Sequence, residues 1–206
     1  MREVFIALGS NLGAPDQNVL RAMAHLAQQF PEGFRSSEIY RTEPVDMAAD
    51  ATDFANAVVA FQSGLPLETL LSNLQALEAA FGRPKDHGKN TPRTLDLDLI
   101  AAGDETLSTP ALTLPHPKVL DRRFVLQPLQ DIAPAFRFPG INEGLSVLVS
   151  VGTKVRRGRS VAKMHSSGWF RRNHRSRVHY IIPLGRVGLH ETGRMSSSVL
   201  WIGCIR

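Results

Sequence analysis

Residues 91–101, TPRTLDLDLIA, carry the most chemically suggestive side chains of this 206-residue sequence. At its centre, Leu95-Asp96-Leu97-Asp98-Leu99 alternates apolar and acidic residues, the period of a half-buried strand. Side chains two apart on a strand share a face. Leu95, Leu97 and Leu99 are therefore expected in a core, with Asp96 and Asp98 side by side on the opposite face. Two carboxylates this close repel, and a cation between them relieves the repulsion. Hard oxygen donors projecting together suit Mg²⁺, which takes one or two protein carboxylates and completes its shell with water and substrate phosphates. Arg93, three residues upstream, offers the guanidinium fork that fits phosphate oxygens. These types at this spacing point to nucleotide chemistry. A solvated acidic sheet face is the competing explanation, so the rest of the chain must decide.

The elements that position these residues follow from periodicity and punctuation. Residues 4–8 read as a short buried strand stopped by Gly9-Ser10-Asn11. Residues 18–30 place Val19, Met23, Leu26, Ala27 and Phe30 at helical spacing, with Pro15-Asp16 as a start signal. Strands are expected over 38–42, ending at Glu43-Pro44, and over 54–62, with a polar, alanine-rich loop over 45–53 between them. The clearest helix spans 66–81: Leu67, Leu70, Leu71, Leu74, Leu77 and Phe81 make one apolar stripe, Pro66 suits the first turn and Gly82 the C-terminal cap. Glu78 lies in its last turn, where the helix dipole disfavours negative charge; a function or simple solvation would each account for it. A basic loop over 83–90, with Arg83, Lys85 and Lys89, runs into the acidic strand. Residues 112–116 suit a further strand, 122–129 a short helix ending near Pro128, and 136–140 an extended end and turn. Strands and helices alternate irregularly, without a GxGxxG or P-loop pattern. The class indicated is α+β, with a mixed or antiparallel sheet.

Composition narrows the class further. No stretch approaches the roughly 18–20 apolar residues that span a bilayer, and the apolar run near Met1 is too short for a signal peptide. One cysteine, Cys204, excludes an internal disulfide and a cysteine-rich metal site. A cytoplasmic protein is expected. The net charge of +5 conceals a sharp division: residues 1–148 hold 12 Lys and Arg against 18 Asp and Glu, whereas 149–206 hold 12 against one, Glu191. That asymmetry is a boundary signal.

Several stretches, in order, resemble the 6-hydroxymethyl-7,8-dihydropterin pyrophosphokinase family of folate enzymes (2-amino-4-hydroxy-6-hydroxymethyldihydropteridine diphosphokinase, EC 2.7.6.3). They are Ala7-Leu8-Gly9-Ser10-Asn11-Leu12-Gly13, Tyr40-Arg41-Thr42-Glu43-Pro44, Phe54-Ala55-Asn56-Ala57, Leu77-Glu78 with Gly82-Arg83, and, strongest, Pro92-Arg93-Thr94-Leu95-Asp96-Leu97-Asp98-Leu99-Ile100. Pro115-His116-Pro117, Arg122-Arg123-Phe124-Val125-Leu126 and Pro128-Leu129 complete the series, which runs to about residue 140. Any one piece is weak; the ordered set is specific.

The resemblance implies a three-layer α/β/α sandwich with a mixed, largely antiparallel sheet, and transfer of pyrophosphate from ATP to the 6-hydroxymethyl of the dihydropterin, releasing AMP. It implies that Asp96 and Asp98 hold two Mg²⁺ ions and that Arg83 and Arg93 are catalytic, stabilising charge on the migrating phosphates. Such transfer needs positioning and charge neutralisation rather than a covalent protein intermediate. Gln75, Glu78, Lys85, Thr113, His116 and Arg122 match ATP-binding positions. Gly9, Thr42, Pro44, Val45, Phe54, Asn56 and Phe124 match the pterin side, where a flat heteroaromatic ring wants aromatic faces and an amide edge. From residue type alone, both phenylalanines would read as ordinary core, and His116 as a turn residue between prolines. Thr91 stands where the family generally has glycine or alanine, and Asn90 where some members place an aromatic; neither removes a metal ligand or a phosphate-binding arginine.

Residues 149–206 do not share the likeness. They form a basic tail, expected to be mostly disordered, with non-specific contact to nucleic acid or an anionic surface as its functional reading and a stretch of unselected sequence as the alternative. Trp169, Phe170 and Tyr180 are too few for a base-stacking platform. A nucleotidyltransferase would also combine Gly-Ser with Asp-x-Asp, but there the two motifs usually lie close together, and Gly9-Ser10 is far from Asp96. The division expected is a catalytic domain over 1–148 and a tail over 149–206, in a monomer that does not engage a membrane.

Overall fold

The computed structural model describes residues 1–42, 53–82 and 92–150 with their side chains, and the backbone alone of 151, 156–157, 163–165 and 168–170. The chain divides into two units, Met1–Arg172 and Asn173–Arg206, the second lying wholly outside the described residues.

The sheet is built on β1 (Arg2–Ser10), flanked by β4 (Phe54–Ser63) and β5 (Asp96–Ala102). Beyond β4 lie β2 (Arg35–Ser36) and β3 (Tyr40–Thr42), each pairing with it. The short backbone strands β8 (Arg156–Arg157), β9 (Lys163–His165) and β10 (Gly168–Phe170) continue from these. Every described pairing is antiparallel, including the separate pair β6 (Leu107–Ser108) and β7 (Thr113–Leu114), so the expected mixed component has no parallel pair among the described residues.

Each sheet face has its own apolar cluster. One gathers Val4, Ile6 and Leu8 of β1 and Val59 and Phe61 of β4 with Leu95, Leu97 and Leu99. It is covered by α1 (Pro15–Gln29), through Val19, Ala22, Met23 and Leu26, and by α2 (Leu67–Ala80), through Leu70, Leu74 and Leu77. The spacing of these residues is the helical stripe read from sequence. Truncating one such fully buried side chain, Leu70 for example, costs about 2–5 kcal/mol. The opposite face carries Phe5, Ala7, Val58 and Ala60, packed with Val125, Leu126 and Leu129 of α3 (Arg123–Ile132) and Leu145 and Val149 of α4 (Leu145–Val151).

Two expectations are corrected, and one element lies beyond them. The short helix does not end near Pro128: α3 runs through it to Ile132. Proline removes one helical hydrogen bond, yet Leu126 and Leu129 are fully buried on either side of it, and that packing keeps the helix going. The C-terminal α4 was not anticipated, because Leu145 and Val149 are too few anchors to show a period. Pro66 precedes the helix as its N-cap rather than entering the first turn, while Gly82 takes the positive φ of +83° expected after a helix end. The expected loops over 45–53 and 83–90 lie outside the described residues except for Asp53.

The strand bearing the two aspartates contains one irregularity. Phe5 pairs with Ala101 but Ile6 pairs with Leu99, leaving Ile100 unpaired in a β-bulge. The bulge reverses the alternation. Leu97 and Leu99 face α1 and α2, whereas Ile100 and Ala101 both enter the other core. The carbonyl of Ile100 accepts the His116 N–H at 2.9 Å, fastening the chain beyond β7 to the strand.

Candidate active site

On the face covered by α3, the sheet turns polar where β1, β4 and β5 approach their loops. Register sets Gly9 between Asn56 and Asp96, and Ala7 between Val58 and Asp98. A cleft of about 180 Å³ opens there, roofed by Arg122, Phe124 and Val125, with Thr42 and Phe54 at one side and Arg93 at the other. It unites nine of the candidate residues: Gly9, Thr42, Phe54, Asn56, Arg93, Asp96, Asp98, Arg122 and Phe124. Leu95, Leu97 and Leu99 point away into the core, as the alternation requires.

The floor is open because Gly9 lacks a side chain. A Cβ there would stand 3.4 Å from Asn56 Oδ1 and 3.8 Å from Asp96 Cβ, filling the space between amide and carboxylate. Asn56 is buried and donates from Nδ2 to Thr42 Oγ1 at 2.8 Å. The amide is thus oriented with its oxygen toward Gly9, next to the partly exposed rings of Phe54 and Phe124.

Both aspartates are held by arginines. Arg93 Nη1 meets Asp96 Oδ2 at 2.8 Å, and Arg122 Nη1 meets Asp98 Oδ2 at 2.6 Å. The Arg122 guanidinium also lies 5.9 Å from the centre of the Phe124 ring. Arg93 Nε is buried with no hydrogen-bond partner among the described residues. Its backbone, in contrast, is fixed: Asn11 Oδ1 accepts the Arg93 N–H at 2.8 Å, and the Asn11 and Leu12 amides donate to the Arg93 carbonyl at 3.1 and 3.2 Å. Asn18 Nδ2 secures that loop through Ser10 Oγ at 3.2 Å and the Leu12 carbonyl at 3.0 Å. Asn11 stands in the quoted motif but was not among the candidate site residues. Its signal is a short amide just after a strand, a type that commonly bonds nearby backbone. The partner 82 residues away was not readable.

The remaining candidates lie elsewhere. Glu78 does not line the cleft; it is buried under β5, where Oε1 accepts the Leu97 N–H at 2.7 Å. Gln75 is exposed on α2, and Thr113 is half-buried in β7. His116 is also half-buried, its Nδ1 accepting the Lys118 N–H at 3.2 Å. Burial pushes its pKa below the usual 6.5, opposed by the Asp98 carboxylate and reinforced by Arg122. Arg83, Lys85, Pro44 and Val45 lie outside the described residues.

No three His, Cys, Asp or Glu side chains converge to hold a metal among the described residues. The donors at hand are the Asp96–Asp98 pair, two hard carboxylates on one face opening into a polar cleft. That set fits Mg²⁺, which leaves most of its shell to water and phosphate, and does not fit a site closed by protein ligands.

An antiparallel sheet ending in paired carboxylates and arginines beside an aromatic, amide-lined slot is an α+β site built to take a flat ring next to a phosphate-bearing group. Residues 5–134 match the family model of 7,8-dihydro-6-hydroxymethylpterin-pyrophosphokinase (HPPK), and the chain belongs to that family. The 2-amino-4-hydroxy-6-hydroxymethyldihydropteridine pyrophosphokinase of Pseudomonas aeruginosa is 38% identical over 141 residues, 68% of this chain and 85% of that protein. The Bacillus subtilis protein of the same name is 36% identical over 129 residues, 62% of this chain and 76% of that one. Among solved structures, Plasmodium falciparum HPPK-DHPS, wild type with pteroate, is similar with a TM-score of 0.54 at 14% identity. That match covers 72% of this chain but only 42% of the longer one, and at such identity it speaks to the fold alone. The family transfers pyrophosphate in folate biosynthesis, and its members are enzymes.

Proposed function

We propose that this protein transfers the β,γ-pyrophosphoryl group of ATP to the hydroxyl of 6-hydroxymethyl-7,8-dihydropterin, giving AMP and the pterin diphosphate. The observation that carries the reading is the cleft itself, in which the aromatic and amide slot adjoins the carboxylate and arginine pairs. Phe54 and Phe124 bind the faces of the pterin, and Asn56, oriented by Thr42, reads its donor–acceptor edge. Gly9 leaves room for the ring against the backbone. Pro44 and Val45 join this side by family resemblance.

Asp96 and Asp98 would hold two Mg²⁺ ions, which supply charge neutralisation and Lewis acidity at phosphate oxygens when bound. Arg93 and Arg122 present guanidinium donors to the polyphosphate, with Arg83 and Lys85 added by resemblance. Each preorganised donor of this kind is worth about 3–4 kcal/mol of transition-state stabilisation. The pterin hydroxyl oxygen forms a bond to the β-phosphorus, the bond from that phosphorus to the α,β-bridging oxygen breaks, AMP leaves with the electron pair, and the hydroxyl proton passes to solvent. Gln75, Glu78, Thr113 and His116 belong to the nucleotide side in this reading. Of these, His116 is linked to the cleft by the influence of Asp98 and Arg122 on its charge, and Glu78 by accepting the Leu97 N–H between the two aspartates.

The same reading takes the molecule as a three-layer α/β/α sandwich, supported by the two apolar clusters. It divides the chain into a catalytic domain over 1–148 and a basic tail over 149–206, supported by the charge asymmetry. The protein is taken in this reading as a cytoplasmic monomer acting on soluble substrates. Among the described residues no helix is long and apolar enough to cross a membrane. Nucleic acid is not a partner in this reading, except through non-specific contact of the basic tail.

The test is AMP release from Mg·ATP with and without the pterin, beside Asp96→Ala. Pterin-dependent AMP, abolished by the substitution, is expected. Absence of AMP from folded protein that also fails to bind the pterin would overturn the assignment.

A further inference from the structure

We propose that Arg93 and Arg122 serve as built-in counter-ions for Asp96 and Asp98, so that the cleft refuses a free divalent cation and admits one only with a polyphosphate that draws the arginines away. The inference rests on the metal role proposed above and concerns how that site is loaded.

Three observations carry it. Both carboxylates that would ligate the metal are already occupied, at 2.8 and 2.6 Å, each by a separate guanidinium. Each guanidinium offsets the charge of its carboxylate and engages its Oδ2, so an arriving dication is attracted less and must compete with an arginine at that oxygen. All four side chains are mostly sheltered, between 23 and 31% exposed, where charge pairs are screened less than at an open surface. Second, the arginines are anchored by backbone and not by side chain. The Arg93 peptide is fixed by Asn11 and Leu12. The Arg122 carbonyl accepts the Val125 and Leu126 amides at 2.8 and 3.0 Å, as the first turn of α3 begins. Each guanidinium can change partner by side-chain rotation without moving the fold. Third, Arg93 Nε is a buried donor with no partner among the described residues, so the pairing with Asp96 leaves hydrogen-bonding capacity unused.

A polyphosphate supplies what the free cation lacks. Its oxygens match the planar forks of both arginines, and each guanidinium that turns to phosphate uncovers a carboxylate for the metal carried with it. Carboxylates, arginines, nucleotide and metal are then paired with opposite charge throughout. Arg93 and Arg122 thus act as selectivity residues for a metal–nucleotide complex over the bare ion.

The experiment is binding of Mn²⁺ alone, read from the electron-paramagnetic signal of the free ion, to the full chain and to Arg122→Gln and Arg93→Gln, each checked for folding by circular dichroism. In the second arm, Mn²⁺ is added with a non-hydrolysable ATP analogue. Expected is weak uptake of the bare ion by the unsubstituted chain, and affinity raised about tenfold or more in at least one arginine variant, the scale of one close charge pair removed. Asp98→Asn abolishes that gain. Bare-ion affinity that is unchanged or lower in both folded arginine variants would overturn the counter-ion role. If the unsubstituted chain also takes up no Mn²⁺ with the analogue, the metal reading of Asp96 and Asp98 fails as well; uptake with the analogue limits the failure to the arginines.

Discussion

Replacing Glu78 by alanine separates two roles for that residue. Resemblance assigns it to the nucleotide side, but the residue is 8% exposed and its carboxylate accepts the Leu97 N–H at 2.7 Å. Leu97 lies between the two aspartates, on a strand whose only sheet neighbour among the described residues is β1. Without Glu78 the Leu97 amide, on the edge of β5 away from β1, would lose its acceptor. A hydrogen bond to a charged group contributes about 1.5–3 kcal/mol, and a buried amide left without an acceptor costs about 1–3 kcal/mol. These overlap, since both describe loss of the same contact, so Glu78→Ala should destabilise by about 1.5–3 kcal/mol. For a domain of this size each kcal/mol lowers Tm by about 2–4 °C, which gives a fall of about 3–12 °C in thermal unfolding. Glu78→Gln keeps a carbonyl acceptor and should recover more than half of the loss. Measured together with ATP-analogue affinity, the pair of variants decides the matter. An alanine variant with unchanged Tm and weakened nucleotide binding would refute the strand-edge role.

Two further outcomes are expected. Asn11→Ala removes the acceptor that fixes the Arg93 backbone, and should lower kcat by about tenfold to hundredfold with a smaller change in pterin KM; equal kcat in steady-state assays would show that Arg93 needs no such tether. His116 has its pKa lowered by burial, so as pH falls through 6.5 the unfolded chain takes up this proton first and stability drops. The contribution is complete above 6.5 and gone below the folded value, so urea unfolding between pH 7 and 5 should show a slope that is smaller in His116→Gln. Parallel profiles would contradict it.

What could be read from sequence was what repeats locally. The alternation over 95–99 needs only neighbouring residues, and it placed both the leucines and the aspartates on their observed faces. The α2 stripe was legible for the same reason. Contacts that join distant segments were not: nothing near Glu78 announces Leu97, and nothing near Asn11 announces Arg93. Pro128 marks where the propensity rule and the core disagree, and the core prevailed. The two-residue strand β2 and the seven-residue α4 are too short to display a period at all. In the cleft, Gly9, Asn56 and Phe124 come from three elements, and residue type alone gave the phenylalanine to the core. Only the ordered family motifs drew them together.

The bulge at Ile100 bears on how this strand can vary in length. Ordinarily a lost residue turns every later side chain to the opposite face of a sheet. Here removal of Ile100 would leave Leu99 opposite Ile6 and Ala101 opposite Phe5, a regular ladder with all other pairs kept. What disappears is one side chain from the second core and the carbonyl that fastens His116. Removal of Leu97 instead would bring Asp96 and Asp98 next to each other in sequence and force one of them toward the leucine core. Within a stretch of four residues, then, one deletion is a repacking problem and the other disables the metal pair.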